Sequence, residues 1–303
     1  MDGKKLTVLV LDALDEDAVS ELYGKQRLIY EDLDQAAAIF ARETGVLHAE
    51  HIITTVLGQQ EYDLPPDYIR PYLQTSRGRF FAKYYDGSNY TWPLLSTYEK
   101  IFKSNLIESK EWPGRFAIHD KLTKEDLIQG SADADGAAAG GECTLRDDSM
   151  LFLTTNRVYP RDTIHNTSDG SDGYVLSVTD PTHLKTALFG GTVNAWTNGD
   201  NYIIQPAAER QVILDAPSET TGHAMTMPYV CMPSPVFSDY GFWRINPRSC
   251  RAIAAGAAAL FKIPKREFTE SGQIGGLFAA EIIRVKREIA QERLQQGNYR
   301  ERG

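Results

Sequence analysis

The chain has 303 residues, 42% of them hydrophobic, enough to build real cores in one large domain or two smaller ones. With 32 Lys and Arg against 41 Asp and Glu, the net charge of -9 excludes an outer surface built to grip nucleic-acid phosphates, although an acidic wall can stand beside DNA and repel it. Cys143, Cys231 and Cys250 form no CxxC pair, which excludes a zinc knuckle or dithiol redox motif and points to a reducing compartment. The apolar start Leu6 to Leu14 is interrupted by Asp12 and is shorter than the roughly 20 residues of a bilayer span, so a soluble protein made in the cytoplasm is expected.

Leu22, Ile29, Leu33, Ala36 and Phe40 recur at helical spacing, and Gly45 stands where a helix would close. The spacing predicts a helix from about Asp15 to Thr44, with room for a break at Gly24; the acidic Asp15-Glu16-Asp17 suits a helix start. Period two then takes over. Ile52 to Val56, Gly58 and the alternating Tyr62 and Leu64 read as strand, turn, strand, ended by Pro65-Pro66. A second strand pair spans Arg79 to Tyr85 and Tyr90 to Leu95 around the turn Asp86-Gly87-Ser88-Asn89. Phe80, Phe81, Tyr84, Tyr85, Tyr90 and Trp92 crowd this stretch, and the scarcity of basic residues favours a half-buried sheet face over a base-stacking platform.

Gly130 to Gly141, GSADADGAAAGG, is of low complexity and reads as a flexible loop or linker. Short strands are predicted next at Met150 to Thr155, Gly173 to Thr179, His183 to Ala187 and Asp200 to Gln205, forming a small β module. A further strand pair follows at Gln211 to Leu214 and Ala224 to Met232, with Met225, Met227, Tyr229 and Cys231 on one face and Pro228 arguing for an edge. Asn246 and Pro247 open a helix whose inward stripe is Cys250, Ala254, Ala257 and Phe261, ending at Pro264. Its Ala-rich run lets another helix approach closely. Ile274, Phe278, Ile282, Val285 and Ile289 mark a second amphipathic helix with a polar end. From Leu277 on, six Lys or Arg face four Glu, whereas residues 1–70 carry fourteen acidic against six basic residues.

Catalytic patterns are wanting. Neither GxxxxGK[ST] nor GxGxxG after a strand is present, and no GxSxG elbow occurs. His48 and His51 do not read HExxH and point to different faces of a strand. Asn166 to Gly173 lacks the twelfth-place acid of a calcium loop and reads as successive β-turns. Asp147 and Asp148 point to opposite sides if extended, which argues against a shared acid/base site.

Two stretches are more specific. Gly58-Gln59-Gln60-Glu61-Tyr62-Asp63-Leu64-Pro65-Pro66-Asp67-Tyr68 resembles the GQxxYxLPxD strand of bacteriophage head-to-tail adaptor (connector) proteins, where it likewise follows N-terminal helices. Arg210 to Pro217 and Met225 to Pro235 resemble that family's closing strand pair, and Ile245 to Ile263 its Ala-rich helix. The segments Asn166 to Ser171 and Leu188 to Tyr202 are similar to a β segment recurring in phage structural proteins and would be an insertion that smaller adaptors lack.

The resemblance implies an α+β fold: a helical bundle from N- and C-terminal helices, an antiparallel β-sheet domain and an inserted small β module. The adaptor core would comprise residues 1–123 and 207–303, with 124–206 as loop and module. The implied function is structural: a ring, usually of twelve copies, beneath the portal protein, extending the channel for genomic DNA without reading its sequence and offering a platform to a neck or tail protein. That places the chain at the head-tail junction of a virion, assembled in the host cytoplasm, with no enzymatic activity, cofactor, metal or membrane. Phe278, Ile282, Arg284, Val285, Arg287, Ile289, Arg293 and Tyr299 on the last helix are the candidate docking residues. The competing readings are another virion binding component, such as a tail, decoration or receptor-binding protein, resting on the β module, and a virion enzyme using Glu61, Asp63 or Asp67.

Overall fold

The computed structural model describes residues 1–15, 25–72, 82–103, 109–121, 127–153, 156–264 and 266–300, with the backbone alone at 103 and 292–300. The elements begin with α1 (Gly3–Leu14), α2 (Gln26–Thr44), β1 (His48–Thr54), β2 (Glu61–Asp63), β3 (Tyr68–Pro71), β4 (Lys83–Tyr85), β5 (Tyr90–Thr91), β6 (Leu94–Leu95), α3 (Tyr98–Lys103) and β7 (Arg115–Asp120). Then come β8 (Ile128–Ser131), β9 (Ala138–Ala139), β10 (Glu142–Arg146), β11 (Thr163–Asn166), β12 (Ser171–Asp180), β13 (His183–Phe189), β14 (Asn201–Gln205), β15 (Arg210–Leu214), β16 (Ala224–Cys231), α4 (Pro247–Lys262) and α5 (Phe268–Arg300). The architecture is mixed α+β, and its strands pair antiparallel apart from β6 with β7.

Two compact units form, one from residues 1–46, 127–206 and 232–303, the other from 47–126 and 207–231. This division differs from the expected one, because 127–206 is grouped with the long helices. The reason lies in β12 and β13, which are apolar on both faces. Tyr174, Leu176, Ala187 and Phe189 pack into the helical core, while Val175, Leu184 and Leu188 join Leu145, Trp196, Tyr202 and Ile204 in a second core.

In the first unit, Asp2 caps α1 by accepting the Lys5 N–H at 2.9 Å, and Leu6, Val10, Leu11 and Leu14 form its buried stripe. Asp15 then adopts φ 57° and closes the helix. The expected helix start at Asp15 is therefore corrected: Asp15 ends one helix, the next is described from Gln26, and Glu16, Asp17, Leu22 and Gly24 fall outside the described residues. Helix α2 buries Ile29, Leu33, Ala36 and Phe40, and its closing Gly45, at φ 62°, donates its N–H to the Ala41 carbonyl at 2.8 Å. Asn246 caps α4 through the Arg248 N–H at 2.9 Å, ahead of Pro247. The buried Cys250, Ile253, Ala254, Ala257 and Ala258 present a surface of mostly small side chains, against which α1, α2 and α5 all pack.

The seven-stranded sheet of this unit runs β8-β14-β11-β12-β13-β10-β9. It corrects two expectations. The Gly- and Ala-rich run 130–141 is no open linker, since it contributes to β8 and β9, and two of its glycines answer to close packing. A Cβ on Gly130 would lie 2.4 Å from the Tyr202 hydroxyl, and one on Gly136 would lie 2.3 Å from the Thr144 carbonyl oxygen. Met150 to Thr155 is not a strand over its described part, 150–153: the Met150 N–H bonds to Asp147 and that of Phe152 to Pro181, folding a turn around a buried ring. Strands β7, β10 and β11 carry no turn-bounded apolar run that set them apart in the sequence.

The second unit has two sheets, β1-β16-β4-β5 with β3 also on β16, and β2-β15-β7-β6. Ile53, Tyr84, Met225 and Met227 from the first meet Tyr62, Leu64, Phe116, Val212 and Leu214 from the second in one core. Strands β1 and β2 therefore do not form a hairpin, nor do β15 and β16 pair; each belongs to a different sheet. The β4–β5 hairpin does form, with Asp86 Oδ1 accepting the Ser88 and Asn89 N–H groups at 2.7 and 2.6 Å. Pro228 sits in a central strand, contrary to the edge expectation. Its carbonyl accepts the Tyr72 N–H at 3.2 Å, so residue 228 turns its backbone away from β1, into the gap between β4, paired with 224–226, and β3, paired with 229–231. A missing N–H there breaks no ladder bond.

The α4–α5 contact yields a stability test. A Cβ on Gly256 would lie 2.9 Å from the Phe278 ring, whereas one on Gly276 would meet nothing within 4 Å. Gly256→Val is expected to lower unfolding stability by about 2 kcal/mol, and Gly276→Val to leave it unchanged or slightly raised; denaturant titration of both variants checks the pair.

Candidate assembly surfaces

Helix α5 was expected to carry the docking residues, and the structure redistributes them. Phe278 packs over Gly256 and against Phe40, with ring centroids 6.5 Å apart, and Ile282, Val285 and Ile289 join the same helical core. Val285 is buried and Phe278, Ile282 and Ile289 are half-buried, so much of the stripe expected to dock a partner is used in packing against the chain's own helices. Arg284 is committed as well, donating to Glu281 at 2.9 Å and to Glu288. Glu281 is buried, accepts the Ser249 hydroxyl at 2.9 Å, and its carboxyl is held below the usual range by the Arg284 hydrogen bonds against the opposing effect of burial. Arg287 is exposed, while the side chains of Arg293 and Tyr299 lie outside the described residues. The face that α5 turns to solvent holds Gly272, Gly276, Leu277 and Ile283 instead. Sequence periodicity missed it because two large apolar residues among glycines and alanines make no stripe.

Among the described residues, the five-stranded sheet of the second unit has two unpaired strand edges and a mixed outer face that carries large apolar side chains. Cys231 donates its N–H to Leu47 at 3.2 Å and Thr55 donates to His223 at 2.8 Å, so the odd-numbered residues of β16 turn their backbone toward β1 and the even-numbered ones away. Opposite the even-numbered residues stand His48, Glu50, Ile52 and Thr54, whose N–H and C=O groups therefore point outward from the sheet. This edge is seven residues long, in unbroken register, and has neither Pro nor Lys. Of the devices that natural sheets use to blunt an edge, it carries a single charged side chain, Glu50, and no proline or bulge. At the other end of the sheet, Asn89 and Pro93 carbonyls accept from Asp86 and Ala82 and Thr91 pairs with Tyr84, leaving the backbones of Tyr90 and Trp92 turned outward.

Register places side chains from both ends on one face. Ile52, Thr226 and Lys83 form one row, and Thr54, Ala224, Tyr85 and Tyr90 the next. Ile52 is 61% exposed, Tyr90 53% and Trp92 59%. Tyr85 stacks on Tyr90 with centroids 4.6 Å apart, and the Lys83 Nζ lies 4.2 Å from the Tyr90 ring centroid. The aromatic cluster thus divides: Tyr84 is buried and bonds to His223 Nδ1 at 2.9 Å, Tyr90 and Trp92 face solvent, and Phe80 and Phe81 lie outside the described residues.

Other polar groups are occupied by local structure. His48 stacks on Tyr72 while His51 Nε2 lies 3.2 Å from the Asp63 carbonyl, and burial lowers the His51 titration range. In the 166–173 turn, Asn166 Oδ1 accepts the Ser168 and Asp169 N–H groups, and the Asp169 carboxylate accepts those of Thr192, Val193 and Asn194. Asp147 is buried and accepts the Tyr202 hydroxyl at 2.8 Å, while Asp148 pairs with Arg146 on the surface. Burial pushes the Cys143 thiol up to about 11, away from nucleophilic character. Among the described residues no group of three or more His, Cys, Asp or Glu could hold a metal ion, and no helix is long and apolar enough to cross a membrane. A cleft of about 630 Å³ beside the start of α2 is bordered by Gln26 and Arg27, which bond to Tyr30 and Glu31 respectively.

No protein-family model matches this sequence, and no curated protein matches it.

Asp32, half-buried on α2, gives a pH test. Burial, and then the neighbouring Glu31 charge, push its carboxyl up to about 6. The folded state then binds a proton more tightly than the unfolded chain, so stability falls as pH rises from about 4 through 6. With solvent screening of a partly exposed group this amounts to about 1 kcal/mol. Asp32→Asn is expected to flatten that slope and to be the more stable protein at pH 7; parallel slopes for the two proteins in urea melts at pH 4.5 and 7 would contradict the assignment.

Proposed function

We propose that this chain is a structural virion protein, a head-to-tail adaptor whose copies form a ring beneath the portal, prolong the DNA channel and present a platform to neck or tail proteins. The observation that supports this most is the pairing of the two stretches that carry the adaptor resemblance. Tyr62 of the Gly58 to Tyr68 stretch lies opposite Val212 of the Arg210 to Pro217 stretch, with Glu61 opposite Ile213 and Asp63 opposite Gln211. Tyr62 and Leu64 are buried in the core between the two sheets, Gly58 adopts φ 76° in the turn before the strand, and Asp67 accepts the Tyr229 hydroxyl at 2.9 Å, so the motif ties the two sheets together. In this reading the four long helices constitute the bundle, and 124–206 is the β module inserted into the adaptor core. The net charge of -9 suits a conduit whose walls repel phosphate. The ring has twelve copies, the protein acts without catalysis or cofactor, and its place is the head-tail junction of the particle. Docking by α5 rests on Arg287 and on the segment containing Arg293 and Tyr299, since the apolar stripe is occupied within the chain.

Native mass measurement of the protein, alone and with a portal ring, tests the reading. A closed oligomer that adds to the portal is expected, and a monomer that ignores the portal would sink it. Deleting residues 290–303 is expected to weaken that addition at least tenfold with little change in thermal stability; loss of both together would count against a docking role.

A further inference from the structure

We infer that neighbouring copies join by continuing the five-stranded sheet, β1 of one copy taking β5 of the next as its antiparallel partner. The inference rests on the ring reading and names its subunit contact. Each edge offers outward backbone donors and acceptors, from Glu50 and Ile52 on one side and from Tyr90 and Trp92 on the other. Both pairs are spaced two residues apart, so they match in step. Strand direction alternates across β1-β16-β4-β5, so a copy rotated about an axis along the strands brings its β5 antiparallel to β1. The contact is heterologous, the type that builds a ring when the rotation between copies closes.

Side-chain chemistry selects a second copy as the occupant. Ile52 opposite Tyr90, with Glu50 opposite Trp92, covers apolar side chains that are more than half exposed in the single chain. Because the Lys83 Nζ lies over the Tyr90 ring, the ammonium stands above the edge strand itself, within reach of Glu50 on the neighbour. Among the described residues neither Glu50 nor Lys83 makes an ion pair within its own chain, and both are exposed. The opposite charges thus stand at opposite ends of one sheet, each matched by the other copy.

A charge exchange tests this with full-length protein. Glu50→Lys alone sets Lys against Lys83 at every junction, and Lys83→Glu alone sets Glu against Glu50. Each is expected to weaken self-association roughly tenfold or more. An equimolar mixture of the two variants restores an opposite pair at every junction and is expected to recover the wild-type assembly in alternating order. Glu50→Pro removes an outward N–H and fixes φ while no β1–β16 ladder bond uses that N–H, so it is expected to dissociate the oligomer and leave a monomer that still unfolds cooperatively. If wild type assembles and both charge variants assemble equally well, or the mixture fails to recover, the sheet contact is overturned and the ring reading stands. If wild type stays monomeric at every concentration, the ring reading falls and the contact with it.

Discussion

The close approach permitted by α4 governs the larger compact unit. Ala254, Ala257 and Ala258 add little bulk to the helix surface, so α1, α2 and α5 can all pack against it. Dispersion contacts are then made by whole helix surfaces rather than by a few long side chains. Gly256 carries the constraint furthest, because the Phe278 ring comes within 2.9 Å of where its Cβ would be. Seating Phe278 there orients the rest of α5: Ile282, Val285 and Ile289 follow it inward, while Leu277 and Ile283 are left in solvent. The surface that α5 offers to the outside is thus a consequence of one missing methyl group on α4.

The second unit obeys a different constraint. Its two sheets share one core, and strand alternation consumes one face of each. Met225, Met227 and Ile53 go inward, which sends Thr226, Ile52 and Lys83 outward with the opposite parity. The aromatic residues of 84–92 are sorted by the same rule, Tyr84 to the core and Tyr85 with Tyr90 to the outer face. What is exposed on this unit is therefore set by register as well as by composition, and the two open edges follow from where the strand order ends.

Several elements were legible before any fold was known because local chemistry decides them. Asn246 with Pro247, Gly45 after Thr44, and Asp86 to Asn89 each satisfy backbone groups within a few residues, so their signals survive in isolation. The failures share a cause as well. Asp15 looked like a helix start because acidic residues favour that end, but the stripe Leu6, Val10, Leu14 had already formed a helix that Asp15 closes in the left-handed region. The Gly and Ala run 130–141 looks like a linker because its residues are small, yet Gly130 and Gly136 are bare because Tyr202, Asp147 and the Thr144 carbonyl crowd them. Pro228 looked like an edge residue because a proline lacks an N–H; the break between β3 and β4 supplied another place where none is needed.

The candidate surfaces divide in the same way. Sequence alone determined that the last helix is amphipathic, that strand chemistry fills the middle, that residues 84–92 are rich in aromatics, and that the net charge is acidic. Periodicity records that a face is covered and leaves open what covers it. Only the tertiary structure decided that the α5 stripe is spent on α2 and α4, that β1 and β2 belong to different sheets, and that Glu50, Ile52, Tyr90 and Trp92 stand at the open ends of one sheet. Those outcomes depend on contacts between residues far apart in the chain, and such pairings are chosen by the shapes of the surfaces that meet rather than by any local preference.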